Sequence, residues 1–148
     1  MIERLKNLFS VPETGKKEPD PHELAVAAIA LMVQLSRVDS TEDERELQVM
    51  MDCAIQAHRL SPEEAESVLK NARSQADKAT SLYEFTAQIN EHLDQNAKQS
   101  LLVNIWRVAF ADGRIDKYEE HLIRRIAELL ELNHREYILA RHRAEVAH

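Results

Sequence analysis

The stretch Ala109-Phe110-Ala111-Asp112-Gly113-Arg114-Ile115-Asp116-Lys117-Tyr118-Glu119 decides how this chain folds, because its acidic skeleton occurs twice. The pattern D-x3-D-x2-E returns as Asp39-Ser40-Thr41-Glu42-Asp43-Glu44-Arg45-Glu46. One constant offset relates Asp39 to Asp112, Asp43 to Asp116 and Glu46 to Glu119. The flanks agree as well. Each motif follows an apolar run at helical spacing (Ile29 to Val38, Leu102 to Ala111). Each also precedes another, with Val49, Met50 and Cys53 standing against Leu122, Ile123 and Ile126. Self-similarity of this kind marks a repeated supersecondary unit. The spacing predicts a duplicated helix–turn–helix pair, its two copies separated by a pair of middle helices.

Most of the motif is explained by helix capping. Asp43 and Asp116 read as N-cap residues, with Glu46 and Glu119 three positions later, reaching back to the cap amide. Each cap contributes about 1 kcal/mol, and a carboxylate there faces the positive end of the helix dipole. Gly113 supplies the backbone freedom to leave the preceding helix. Asp39 and Asp112 fall outside this account, because each ends a helix, where the dipole disfavours negative charge. Each asks for a partner. One set of partners is local: Arg37, Arg45, Arg114 or amides of the facing turn. The other is a cation held by hard carboxylate oxygens, as Ca²⁺ and Mg²⁺ are. An EF-hand does not fit. With Glu119 at the twelfth loop position, Asp112 and Gly113 fall on the fifth and sixth, but Val108 and Phe110 occupy the first and third, which need acids.

Outward from the motifs, the periodicity is helical nearly throughout. Pro21, behind Asp20, opens a helix carrying Leu24, Ala27, Ala28, Leu31 and Leu35 as an apolar stripe. A second helix spans about 43–58. Ser61-Pro62-Glu63-Glu64 forms a capping box for a third, and Ser81-Leu82-Tyr83-Glu84 reads as another for a fourth. The run from Gln95 to Ala111 is the most apolar, with Leu101, Leu102, Ile105, Trp106 and Phe110 inward. Asp116 to Glu131 follows, and Asn133 caps a last helix ending near Val146. No strand alternation is present, so the fold class is all-α. Residues 1–9 form a short amphipathic segment (Ile2, Leu5, Leu8 and Phe9 on one face), residues 10–20 a Pro-containing linker, and residues 21–148 the folded domain. The leading segment is expected to dock on the domain or on a partner, or to touch a membrane surface weakly.

Composition narrows the function classes. Two glycines among 148 residues cannot build a phosphate loop or a dinucleotide fingerprint. A net charge of −7 argues against nucleic acid, which needs clustered Lys and Arg, and suits cations or basic partner surfaces. No stretch has the 18 or so apolar residues of a membrane span. A single cysteine, Cys53, cannot form an internal disulfide, which points to a reducing, cytoplasmic setting. Beside Asp52 it reads as a structural thiol. None of the seven histidines completes a metal motif such as H-E-x-x-H, although His121 lies two residues after Glu119. Trp106 and Phe110, four apart, read as core. Arg135, Arg141 and Arg143 give the last helix a basic streak that pairs with the acidic turns or binds a partner.

Ala109-Phe110-Ala111-Asp112-Gly113-Arg114-Ile115-Asp116 with Glu119, followed by Leu122-Ile123 and Ile126-Ala127, resembles the TerB-like proteins related to tellurite-resistance protein B. The first-half turn, Asp39 to Glu46, is similar but has Ser40 where that family often has glycine. The resemblance covers roughly Pro21 to Val146. It implies a bundle of about seven helices with pseudo-twofold halves and a clustered acidic surface. It also implies association with tellurite and other chemical stress. Related domains occur in multidomain proteins, including a DnaJ-like co-chaperone, but no J-domain signature is present in this chain. By position, the resemblance implicates Asp39, Asp43, Glu46, Asp112, Asp116 and Glu119 in a metal site.

The expectation is therefore a non-enzymatic, stress-associated binding module with no catalytic residues. Its acidic surface takes a divalent cation (Ca or Mg) or a basic protein partner. The alternative is a purely structural protein–protein interaction domain whose acids serve only as caps. A metal-assisted hydrolase stands third and rests on nothing beyond the number of acids.

Overall fold

A computed structural model describes residues 20–38 and 43–147. Among them are seven helices and no strand: α1 (Pro21–Ser36), α2 (Glu44–Ala57), α3 (Pro62–Lys78), α4 (Tyr83–His92), α5 (Gln95–Phe110), α6 (Lys117–Leu129) and α7 (His134–Ala147). The amphipathic segment 1–9, most of the linker and Asp39 lie outside the described residues.

Side chains that satisfy the free amides of the first turn set the helix starts. Asp20 accepts from the His22 N–H at 3.0 Å with Pro21 at the first helical position. Ser61 and Glu64 exchange two bonds of 3.1 and 2.9 Å in a capping box. Asn133 and Glu136 do the same at 2.8 and 2.9 Å, and Asp94 accepts from the Ala97 N–H at 2.9 Å. The box expected at Ser81 does not form. Leu82 occupies the cap position, already in helical conformation and without a side-chain cap bond. Its carbonyl instead accepts from the Phe85 and Thr86 amides. The helix starts one residue later than the Ser-x-x-Glu pattern suggests.

The duplication is larger than a helix–turn–helix pair. α1 packs chiefly on α3, and α5 packs chiefly on α7. The offset that relates the two acidic motifs also carries α1, α2 and α3 onto α5, α6 and α7, with starts that agree to within a single position. The repeat is thus a three-helix unit, and α3, read in sequence as one of two spacers, belongs to the first copy. Core positions obey the same shift: Met50, Cys53 and Ala54 are buried, as are Ile123, Ile126 and Ala127. α4 stands outside the repeat and packs on α1 and α6.

α1 is the centre of the domain and packs against α2 through α6. Between Ala25 and Ser36 only Val26 and Gln34 are less than fully buried. A helix that is apolar all round is buried all round, so the stripe read from the sequence describes only part of its contact surface. Trp106 is fully buried at the α5–α7 contact, its ring stacked on Phe110 at 5.8 Å and edge-on to Tyr137 at 5.5 Å.

Candidate functional site

The two acidic turns connect α1 to α2 and α5 to α6. The second is described in full. Gly113 adopts φ +81° and donates its N–H to the Phe110 carbonyl at 2.9 Å, which terminates α5. Nothing lies within 4 Å of where a Cβ on Gly113 would sit. The left-handed backbone, not crowding, therefore calls for glycine here. The Asp112 carboxylate then accepts from the Arg114 N–H at 3.0 Å. At the start of α6, Asp116 accepts from the Tyr118 N–H at 2.7 Å, and Glu119 accepts from the Asp116 N–H at 3.1 Å. This is the reciprocal box the sequence implied.

The first turn shares the N-cap, but the reciprocal box is shown only at Asp116 and Glu119. Asp43 caps α2 by accepting from the Arg45 N–H at 2.8 Å. The Arg45 guanidinium also donates to both carboxylate oxygens, from Nε at 3.1 Å and Nη2 at 2.8 Å. This grip, followed by the Arg45 amide, holds the Asp43 carboxyl below the usual carboxylate range. Arg45 is raised in turn, first by Asp43 and, among its lesser causes, by Asp112 and Glu46. Charges reach one another only over short distances at ordinary ionic strength. Arg45 thus feels charge from both turns, which are remote in sequence.

Glu46 and Glu119, the last acids of the two motifs, are 1% and 3% exposed. Carboxylates are seldom buried so completely unless held by hydrogen bonds. Their burial at equivalent positions shows that they belong to the interior side of each turn, whereas Asp43, Asp112 and Asp116 remain partly open to solvent. Asp39 lies outside the described residues. Among the described residues, no group of three or more His, Cys, Asp or Glu side chains is arranged to hold a metal ion.

The other candidates from the sequence separate clearly. His121 lines a cleft of about 350 Å³ together with Ile115, Lys117, Glu120 and Arg124. Of the basic streak on α7, Arg141 turns inward, pairing with Glu120 at 3.6 Å and lying over the Trp106 ring at 5.0 Å. That places a cation of α7 one residue beyond the Glu119 cap. Arg37 pairs with Asp77 of α3. Cys53 is buried, and burial pushes its thiol up to about 11, against the pull of Arg107. A thiol in that state is not a nucleophile at neutral pH. The sequence named Arg45 only as one of three cations for Asp39 or Asp112. Its closer tie to Asp43 was signalled by the two-residue spacing at an N-cap. The Trp106–Arg141 contact joins two different helices and had no such signal.

Among the described residues no helix is long and apolar enough to cross a membrane. Comparison with curated proteins and with solved structures gives no match. The family model described as tellurite resistance protein TerB matches residues 25–142. Because that match takes in both acidic turns and nearly all of both three-helix units, the chain belongs to the all-α TerB family.

Proposed function

We propose that this TerB-family chain is a non-enzymatic, stress-associated binding module whose paired acidic turns take a divalent cation, Ca²⁺ or Mg²⁺, at the place now filled by the Arg45 guanidinium. The observation that supports this reading is the position of Arg45. It grips Asp43 from its own turn and lies in the field of Asp112 from the other. A positive charge held by Asp43 and drawn by Asp112 is what a divalent cation would supply more strongly with its hard-oxygen preference. Asp43, Asp112 and Asp116, with Asp39 as their repeat partner, are the proposed ligands. Glu46 and Glu119, deep under the turns, support them. The proposed setting is the cytoplasm, in line with a single buried thiol.

The test is calorimetric titration of Ca²⁺, Mg²⁺, Mn²⁺ and Zn²⁺ into chelator-treated protein, with the melting temperature followed in parallel. Saturable binding that raises Tm and is lost in Asp112→Asn/Asp116→Asn supports the site. No binding at millimolar cation refutes it.

A second reading is favoured by a different observation. Each described turn aspartate already accepts a backbone amide, so capping alone accounts for their geometry. On that reading the acidic end is a docking face for a basic protein surface. Pull-down with wild-type protein against the Asp112→Asn/Asp116→Asn variant separates the two, because only the docking reading predicts a captured partner without added cation.

A further inference from the structure

The duplication supplies an internal standard for α6. A requirement of the fold acts on both copies alike, so a face that differs between them reflects something other than folding. The cleft of about 350 Å³ at the start of α6 is lined by Lys117, Glu120, His121 and Arg124, with Ile115 of the preceding turn. The four α6 positions recur at spacings of three and four, one face of a helix. At the offset that relates the acidic motifs, Lys117, His121 and Arg124 correspond to Glu44, Gln48 and Met51 of α2. None of those three is a cation. The fold therefore does not call for the basic face of α6.

The charges of that face are also free to act. Glu120, the one acid of the cleft, meets Arg141 of α7 at 3.6 Å. Among the described residues, neither Lys117 nor Arg124 forms an ion pair with a carboxylate, and it is the neighbouring Arg125 that takes Glu128. Arg124 instead lies over the Tyr137 ring at 5.4 Å, a contact that orients the guanidinium without neutralising it. In the repeat unit, α3 has no aromatic residue that could do the same.

We propose that this cleft binds the dianion of a small phosphate monoester. Arg124 offers a planar fork of N–H donors, which suits two oxygens of a phosphate. Lys117, a compact charge on a flexible stem, reaches a further oxygen, and a ring N–H of His121 donates between them. Ile115 gives the group that carries the phosphate an apolar wall. The chain as a whole carries a net charge of −7 and repels anions elsewhere, so anion binding marks a local site. This proposal does not depend on cation binding at the acidic turns.

The test is calorimetric titration of glycerol phosphate into the full chain, stripped of divalent ions and then freed of chelator, with chloride at matched ionic strength as the blank. The expected result is saturable binding of one molecule per chain. Lys117→Gln/Arg124→Met should weaken it about tenfold or more. Arg135→Gln/Arg143→Gln removes the same charge from the exposed face of α7 and should leave the affinity unchanged. All four side chains are exposed, so both double variants should keep the wild-type Tm. Vesicles of phosphatidic acid should not carry the chain down, because an anionic surface repels it. No saturable heat at millimolar glycerol phosphate, equal weakening in the two double variants, or binding to the vesicles alone would each overturn the proposal. Since no divalent ion is present, failure here leaves the cation reading standing, and loss of cation binding in Asp112→Asn/Asp116→Asn leaves this one standing.

Discussion

Arg45 donates to both carboxylate oxygens of Asp43, at 3.1 and 2.8 Å, and the same guanidinium feels Asp112 from the opposite turn. Arg45 thus pairs with the aspartate of its own turn and responds to the charge of the other. Exposed ion pairs contribute little to stability, so the effect of this contact belongs to binding more than to folding.

Replacing Arg45 separates the two. Arg45→Ala should leave Tm within about 1–2 °C of wild type but tighten divalent cation binding several-fold if the turns form a cation site, since the competing charge is gone. Calorimetry at low salt reads this directly. Unchanged or weaker cation affinity in Arg45→Ala would count against the displacement of Arg45.

Two backbone positions should respond with opposite signs. Gly113 holds φ +81°, so Gly113→Ala should destabilise by about 1–2 kcal/mol although the space is open. Arg59 holds φ +55° directly after α2, and Arg59→Gly should stabilise by about 0.5–1 kcal/mol. Urea unfolding of both variants provides the measurement, with the slope expected to stay constant.

Acidification should act in two steps. Burial pushes the His58 imidazole below its ordinary value, so the folded state favours neutral histidine. That contribution is complete above about pH 6.5 and is lost as pH falls from there through the lowered value. Asp43 is held low chiefly by the Arg45 side chain, so its contribution is complete above about pH 4 and is lost only as pH drops through the lowered value. Melting curves from pH 8 to 3 should show both declines, and His58→Gln should erase the first. A wild-type Tm that stays level from pH 7.5 to 5.5 rules out the histidine step.

The core offers a contrast between a fully buried ring and its cation. Trp106→Ala should cost about 3–5 kcal/mol, a fall in Tm of roughly 10 °C at 2–4 °C per kcal/mol. Arg141→Ala, which removes the cation over that ring, should cost about 0.5–1 kcal/mol. Equal losses in the two variants would mean that the ring stacking with Phe110 and Tyr137 contributes less than its burial implies.

The thiol should be inert while the protein is folded. With Cys53 buried and raised to about 11, a thiol reagent at pH 8 should label it on the timescale of unfolding rather than of encounter. Rapid stoichiometric labelling of native protein would show that the packing of α2 around Cys53 opens readily.

How much was legible can be followed through single residues. Ser61 and Glu64, or Asp116 and Glu119, announce a helix start because the cap bonds join residues three apart, whatever surrounds them. Ser81 and Glu84 follow the same pattern and fail, because Leu82, already in helical conformation, takes the cap position. The six acids were found as a repeated motif, and five of them are described. Their division into buried glutamates and partly open aspartates was not legible, since it depends on which side of each turn faces the core. The third helix of the repeat was also hidden: α3 and α7 share packing on their partner helices more than any sequence pattern.

Local chemistry, written in residues one to four apart, determined the all-α class, six of the seven helix starts among the described residues, and the acidic duplication itself. Only the tertiary structure decided that α1 is buried on nearly every side from Ala25 to Ser36 and that Glu46 and Glu119 lie inside the fold while Asp43, Asp112 and Asp116 stay partly open. Those depend on long-range packing, in which helices distant in the chain must share one interior, and no local spacing carries that information.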